Sequence, residues 1–224
     1  MKLQVKKNLI RTVILLIAFG FWTVVALCCG VQPSGPEHSP VGLAAINGPF
    51  HEWTGVNMTL YQLTDWLGLV PLLFVFFFGM IGLVQWIRRK NILKVDWDIL
   101  VLGAFFLIVL GLFFFFNHYA INYRPVLIEG VLEPSYPSST TLMVLCVMPT
   151  AFMQFDYRLK SIPARRIMQV FLILFAAFMV IARILSGVHW ISDIIGGILL
   201  SAALISAYVL GISALPEKKD AGPV

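Results

Sequence analysis

Charged residues are scarce in this sequence. They make up 12% of the 224 residues, whereas about a quarter is usual for a soluble domain. Hydrophobic residues reach 59%, and the mean hydropathy is +0.90. Phenylalanine-rich runs at 74–78 and 113–116 would give a soluble fold more apolar surface than it can bury. The composition therefore excludes an ordinary soluble globule and indicates that the solvent is a lipid bilayer.

Cysteine is also rare, and its three residues, Cys28, Cys29 and Cys146, all lie in apolar runs. Their spacing excludes a disulfide framework and a zinc site. The sequence has neither the glycine-rich loop of nucleotide hydrolases nor the His-Glu-x-x-His helix of zinc proteases. We therefore expect no metal and no cofactor. The net charge of +5 does not indicate nucleic acid, because membrane proteins collect Lys and Arg on one side of the bilayer.

Six segments are long and apolar enough to cross a bilayer, which takes about 20 residues. The first resembles a secretory signal, but its apolar stretch is long and a clean small-residue cleavage site is lacking. We interpret it as a retained helix. The proline-rich loop after it, 31–58, predicts little regular structure beyond an amphipathic piece at 43–61. The sequence thus predicts an all-α bundle of six transmembrane helices in a single domain, 1–224, with spans at 9–29, 67–87, 97–116, 138–155, 168–185 and 191–212.

The basic residues are distributed unevenly between the two ends of these spans. Fourteen of the sixteen lie on alternate connecting segments, so the positive-inside rule predicts that both termini are cytoplasmic in a plasma or inner membrane. Arg124 and Arg183 lie at the opposite end, where topology gives no reason for a cation. The fourteen are Lys2, Lys6, Lys7, Arg11, Arg88, Arg89, Lys90, Lys94, Arg158, Lys160, Arg165, Arg166, Lys218 and Lys219.

The sharpest polar cluster runs from Arg183 to Asp193, between the fifth and sixth spans. If the sixth helix begins near His189, then His189 and Asp193 are one turn apart on the same face. A carboxylate that accepts one imidazole N–H makes the other nitrogen a better base or nucleophile, and Arg183 offers a planar fork to an oxyanion. An interfacial histidine and an aspartate that complements the helix dipole would explain the same residues without a catalytic role.

Two further clusters lie at the same end of the spans. Residues 136–141 open the fourth span, where free backbone N–H groups make an anion site, although helix capping explains their hydroxyl groups equally well. Asn117, His118 and Arg124 follow the third span. An interfacial arginine beside a proline turn is the alternative interpretation there.

Taken in order, the three clusters resemble the signature of the type 2 phosphatidic acid phosphatase (PAP2) superfamily. That signature consists of a Lys separated from Arg-Pro by six intervening residues, then Pro-Ser-Gly-His, then a Ser-Arg, His and Asp in fixed spacing. The resemblance spans 117–193, and the third motif is its specific part. It implies a six-helix membrane fold with a PAP2-like core at 97–212 and a metal-independent site on the outer side.

The resemblance also implies roles for individual residues. His189 would attack phosphorus in line and form a phosphohistidine, while Asp193 orients its ring. The phosphoryl oxygens would be held by Arg124, Arg183, Ser138 and Ser139, the last two through their backbone.

Four positions depart from the family pattern: Asn117 replaces Lys, Ser139 replaces Gly, Thr140 replaces the His that protonates the leaving group, and Ala182 replaces the Ser before Arg183. Threonine is no proton donor near neutral pH, so an alkoxide would leave more slowly by a factor on the order of 10² to 10⁴. A phosphate leaving group needs less help, which favours lipid diphosphates such as a polyprenyl diphosphate. His118, beside Asn117, is the alternative acid.

The leading hypothesis is therefore an integral membrane phosphatase or phosphotransferase that acts on a lipid phosphate or diphosphate at the extracytoplasmic face. The alternative is a catalytically impaired relative that binds lipid phosphates without turnover. A transporter is a third class, but the sequence shows no repeated halves and no charged residue deep in a span. Besides the substrate, the expected partners are membrane lipids, and the sequence does not indicate an oligomeric state.

Overall fold

The computed structural model describes residues 2–214, and the predicted cytoplasmic Lys218 and Lys219 lie outside this range. The described chain forms eight α-helices, two single 3-10 turns at Pro36–His38 and Ile92–Lys94, and isolated β-bridges. The helices are α1 (Lys2–Cys28), α2 (Ala44–Thr54), α3 (Met58–Leu67), α4 (Leu69–Arg89), α5 (Trp97–His118), α6 (Ser139–Arg158), α7 (Ile162–Leu185) and α8 (Ile191–Ala214).

Five helical segments within the described residues are long and apolar enough to cross a membrane. They are Leu3–Cys28, Met58–Arg89, Trp97–His118, Ile162–Leu185 and Ile191–Ala214. The prediction of an all-α membrane bundle is confirmed. The second segment begins earlier than the predicted span at 67–87, because α3 leads into α4 with a break only at Gly68. The preceding loop also holds more regular structure than the prolines predicted, since α2 occupies 44–54.

The predicted fourth span corresponds to α6, which is the enclosed helix of the bundle. α6 packs against α4, α5, α7 and α8. It falls short of the apolarity of the five segments named above. Helix surfaces covered by protein do not have to match the lipid, so polar side chains are tolerated there when they find partners. Its buried residues include Thr141, Leu142, Val144, Cys146, Val147, Thr150, Ala151 and Gln154.

α1 is an integral part of the bundle through polar contacts with α8. The Thr12 and Ser206 hydroxyl oxygens are 2.9 Å apart, and the Asn8 amide donates to the Ser213 hydroxyl at 3.1 Å. Buried side-chain hydrogen bonds of this kind hold transmembrane helices together. These contacts support the interpretation of the first span as a retained helix.

The alternation of helix directions brings the three polar clusters to one end of the bundle. The C-terminal ends of α5 and α7 and the N-terminal ends of α6 and α8 all lie there. α3 packs against α7 and α2 packs against α8 at this end. The candidate site is therefore assembled from several helix ends and the loops that connect them.

Candidate active site

The turn between α7 and α8 is held in place by the segment that follows α2. The backbone N–H of Asn57 donates to the Ser186 carbonyl at 3.0 Å. Gly187 adopts a positive φ of 65°, and a Cβ at this position would lie 1.8 Å from the carbonyl oxygen of Gly55. Only glycine allows both the backbone angle and this close approach. The outer segment thus fixes the turn that leads into His189.

His189 and Asp193 form a buried pair at the start of α8. Nδ1 of His189 is 3.6 Å from Oδ2 of Asp193, and the two side chains are 2% and 0% exposed. The same carboxylate accepts the Trp190 N–H at 3.0 Å, while its other oxygen accepts from the Asn122 amide at 3.5 Å. The Asp193 carboxylate is therefore anchored on both oxygens, and it faces the imidazole at a distance slightly longer than a hydrogen bond. Catalytic hydrogen bonds commonly tighten when substrate binds.

The other ring nitrogen of His189 faces a cation. Nε2 is 3.4 Å from Nη1 of Arg124. Burial lowers the pKa of His189 well below its ordinary value of 6.5, and the Arg124 and Arg183 guanidinium groups lower it further. The imidazole is consequently neutral at physiological pH, which is the form of a nucleophile.

Arg124 is positioned by the loop between α5 and α6. Its backbone N–H donates to the Glu133 carbonyl at 3.1 Å, and the Ser135 N–H donates to the Asn122 carbonyl at 2.8 Å, so the two sides of the loop are joined. Nε of Arg124 also lies 3.1 Å from the Glu133 carboxylate. These contacts direct the guanidinium towards His189.

Arg183 is 1% exposed at the end of α7 and contacts the polar face of α3. Its Nη1 donates to the Thr64 hydroxyl at 3.0 Å, and its Nη2 is 3.9 Å from the Asp65 carboxylate. The ring of Tyr61 lies 4.8 Å from the Arg183 guanidinium carbon and 5.6 Å from that of Arg124. Tyr61 therefore contacts both arginines through its aromatic face.

Ser138 connects the second cluster to the third. Its N–H donates to the Asp193 carbonyl at 3.1 Å, so this N–H is not free to hold a phosphoryl oxygen, contrary to the expectation from the sequence. The next N–H groups, at the first turn of α6, have no partner within the helix. Tyr136 packs so closely on Gly196 that a Cβ there would lie 2.6 Å from the phenol ring. This contact brings the start of α6 against α8.

A cavity of about 430 Å³ lies beside these groups. Its lining contains polar residues, including both arginines, and apolar residues from α4, α5 and α6. Of the apolar residues, Phe114 is 67% exposed on the outer surface of the bundle. The polar wall consists of Tyr61, Asp65, Asn117, Arg124, Glu133, Ser139, Thr140 and Arg183, and the apolar wall includes Leu69, Leu72, Leu110, Phe113, Phe114 and Met143.

The structure brings together most of the residues selected from the sequence. Arg124, Arg183, Asn117, Ser139 and Thr140 line the cavity. His189, Asp193 and Ser138 lie behind this wall, with the Arg124 guanidinium against the imidazole of His189.

His118 is not among the lining residues of the cavity. Its side chain is exposed, and its ring packs on Tyr119, with ring centroids 4.9 Å apart. Its proposed role as the alternative acid has no support from this position.

Sequence reasoning missed five polar residues of the site: Tyr61, Thr64, Asp65, Asn122 and Glu133. Tyr61, Thr64 and Asp65 have the spacing of one helix face, and this signal could have identified the contribution of α3. Asn122 and Glu133 had no comparable signal, because the path of a loop decides which of its side chains reach the site. Within residues 2–214, no group of three or more His, Cys, Asp or Glu residues is arranged to hold a metal ion.

Comparison with known proteins agrees with this geometry. The family model of the PAP2 superfamily matches residues 114–215, which include all three clusters. The predicted resemblance to this superfamily is confirmed for that part of the chain. No curated protein matches the sequence.

The fold is also similar to a solved structure. The crystal structure of a transmembrane PAP2-type phosphatidylglycerolphosphate phosphatase from Bacillus subtilis matches with a TM-score of 0.58 and 16% identity, covering 93% of this chain and 99% of that one. At this identity the likeness establishes a shared fold. The protein is therefore an integral membrane protein with a PAP2-like fold.

Proposed function

We propose that the protein is a lipid phosphate phosphatase that forms a phosphohistidine on His189 and prefers lipid diphosphates. The observation that carries the proposal is the environment of this buried, neutral imidazole. It lies between the Asp193 carboxylate, 3.6 Å from Nδ1, and the Arg124 guanidinium, 3.4 Å from Nε2. A nucleophile needs an orienting group on one side and an electrophile held by cations on the other, and this arrangement supplies both.

The shape of the cavity supports a lipid as the substrate. Two arginines on its polar wall suit a phosphoryl group. The apolar wall continues to the exposed Phe114 on the surface of α5, where an acyl or prenyl chain would lie in the surrounding lipid. Such a division into a charged and an apolar half matches an amphiphile with a phosphate head group.

In the proposed reaction, the substrate phosphoryl group replaces His189 as a partner of Arg124. The two arginines neutralise the phosphoryl charge while Nε2 attacks phosphorus in line and the bond to the leaving oxygen breaks. Asp193 stabilises the positive charge that develops on the ring through Nδ1–H. Water then attacks the phosphohistidine, releases inorganic phosphate and restores neutral His189.

The substrate preference follows from Thr140, which lines the cavity where the family has its proton donor. A threonine hydroxyl does not protonate an alkoxide usefully near neutral pH. A phosphate leaving group departs without that proton. We therefore place lipid diphosphates ahead of lipid monophosphates as substrates.

We further propose that residues 1–224 form a single membrane domain with both termini cytoplasmic and the site extracytoplasmic. The charge distribution supports this orientation, because fourteen of the sixteen Lys and Arg residues occur on alternate connecting segments. Arg124 and Arg183 at the opposite end are accounted for by the phosphate site.

The direct test gives the purified protein, in detergent, a lipid monophosphate and a lipid diphosphate of the same chain. We expect phosphate release from both, faster from the diphosphate, and little change when a chelator is added. Specific binding of both lipids without any release would contradict the proposal and favour the alternative of a catalytically impaired binding protein. Complete inhibition by chelator that is reversed by metal would contradict the metal-independent mechanism.

A further inference from the structure

A proton donor is missing from the proposed reaction when the leaving group is an alkoxide. Thr140 occupies the family position for that donor, and the exposed His118 is not part of the cavity. If lipid monophosphates are turned over at all, another group has to protonate the leaving oxygen. Identifying this proton donor rests on the proposed function, and we look for it among the residues that line the cavity.

The titratable side chains that line the cavity leave one candidate. Glu133 and Asp65 face guanidinium groups, 3.1 Å from Nε of Arg124 and 3.9 Å from Nη2 of Arg183. These two carboxylates serve as the ion-pair partners of the arginines. Of the other titratable residues in the cavity wall, Tyr61 is the one with an O–H group to donate.

Tyr61 is also close to the position that the phosphoryl group would take. Its ring lies 4.8 Å and 5.6 Å from the guanidinium carbons of Arg183 and Arg124. Both arginines that would hold the phosphoryl oxygens therefore contact this one phenol ring. The ring belongs to α3, which is packed against α7, so its position is set by the fold and not by a free loop.

We propose that Tyr61 is the general acid for alkoxide leaving groups. As Nε2 of His189 bonds to phosphorus and the bond from phosphorus to the ester oxygen breaks, the Tyr61 hydroxyl proton moves to that oxygen, and the lipid leaves as an alcohol. In the second step the Tyr61 phenolate takes a proton from the attacking water. The water oxygen bonds to phosphorus and the bond from phosphorus to Nε2 breaks. The proton taken from water restores the Tyr61 hydroxyl.

This role limits the diphosphate preference without removing it. A phenol, with an ordinary pKa of about 10, is a stronger acid than an alcohol, so proton transfer to an alkoxide is favourable. It is a weaker acid than the histidine that it replaces, whose ordinary pKa is about 6.5. When a lipid diphosphate reacts, the leaving group is the lipid monophosphate, which gains little from either proton donor.

The test compares Tyr61→Phe, which keeps the ring against both arginines, with the exposed Tyr119→Phe as a matched control. Three substrates differ in their need for a proton: a lipid monophosphate, a lipid diphosphate of the same chain, and an aryl phosphate. In Tyr61→Phe we expect kcat for the lipid monophosphate to fall by about 10- to 100-fold with little change in KM. The other two substrates should change by less than about threefold on the same reasoning, and Tyr119→Phe should match wild type.

A pH profile gives a second readout. A general acid must be protonated, so monophosphate turnover by wild type should fall at alkaline pH, and this alkaline limb should disappear in Tyr61→Phe. An equal loss with all three substrates would overturn the proposal and assign Tyr61 to positioning of the arginines. Unchanged monophosphate turnover would also overturn it. If His189→Ala released phosphate as fast as wild type, the failure would instead belong to the proposed function.

Discussion

At the scale of single residues, the proposed chemistry depends on the neutral imidazole of His189. Burial beside two arginines lowers the pKa of His189 well below 6.5, because protonation would place a third cation in a dry environment. In the proposed mechanism, the same arginines that attract the substrate keep the nucleophile in its reactive form. Asp193 would then stabilise the positive charge that develops only during attack.

The lowered pKa of His189 has a consequence for the pH dependence of kcat/KM. Activity requires the deprotonated ring, so it should be constant above the lowered pKa and fall as the pH drops through it. We expect the acid limb for a lipid diphosphate to lie below pH 6.5, after correction for ionisation of the substrate measured separately. An acid limb at or above this pH would show that the nucleophile is not a histidine in this environment.

Thr140 provides a second prediction at this scale. Thr140→His together with Ser139→Gly restores the second motif of the family, which places a strong acid at the leaving group. We expect the double variant to raise monophosphate turnover by about tenfold or more, with a smaller effect on diphosphate turnover. The ratio of the two rates, measured on the same preparation, is the readout. An equal gain for both substrates would contradict the leaving-group argument.

The sequence selected residues that lie near one another where a motif fixed their spacing. Arg183, His189 and Asp193 lie on one continuous stretch, so the short turn between α7 and α8 keeps them together. The Ser138 N–H was assigned wrongly to phosphate, because the hydrogen bond to the Asp193 carbonyl depends on how α6 and α8 pack. Tyr61 was missed for a similar reason, since only the packing of α3 on α7 places it over the arginines.

At the scale of helices, α6 illustrates what hydropathy does and does not measure. The sequence analysis counted it among the segments apolar enough to cross a bilayer, although α6 falls short of the apolarity of a lipid-facing span. The explanation is that neighbouring helices cover it, so Thr150 and Gln154 are buried among protein groups that accept or donate hydrogen bonds. The polar character of this helix was therefore a sign of its central position.

α2 acts on the site through Asn47, which is fully buried. Its amide nitrogen donates to the Gly42 carbonyl at 2.7 Å and to the Ser192 hydroxyl at 3.0 Å, and its oxygen accepts the Ser192 N–H at 3.2 Å. Asn47→Ala removes the hydrogen bonds to Ser192, which is the residue immediately before Asp193. We expect a cost of about 1–3 kcal/mol, seen as a lower melting temperature in detergent, and a reduced kcat.

The exposed neighbour Ile46 provides the control for this prediction, since Ile46→Ala leaves the contacts with Ser192 in place. Its melting temperature and kcat should stay close to wild type. If Asn47→Ala behaved like Ile46→Ala in both measurements, α2 would not support the start of α8.

For the whole molecule, the central expectation is that the site and the basic connecting segments lie on opposite sides of the membrane. Val131 is 60% exposed in the loop that carries Arg124, and Lys160 is exposed at the other end of the bundle. In a background without the native cysteines, Val131→Cys and Lys160→Cys should react with an impermeant thiol reagent from opposite sides of sealed vesicles. Labelling of both from the same side would overturn the topology.

The measurement that tests the account most directly compares wild type with His189→Ala on a lipid diphosphate, with binding of the same lipid measured in parallel. We expect the variant to retain binding and to lose phosphate release by at least about 10⁴-fold, because it lacks the nitrogen that would form the covalent intermediate. His38→Asn serves as a control at an exposed histidine with a positive φ, which asparagine tolerates, and it should match wild type. Phosphate release by His189→Ala within about tenfold of wild type would contradict the phosphohistidine mechanism.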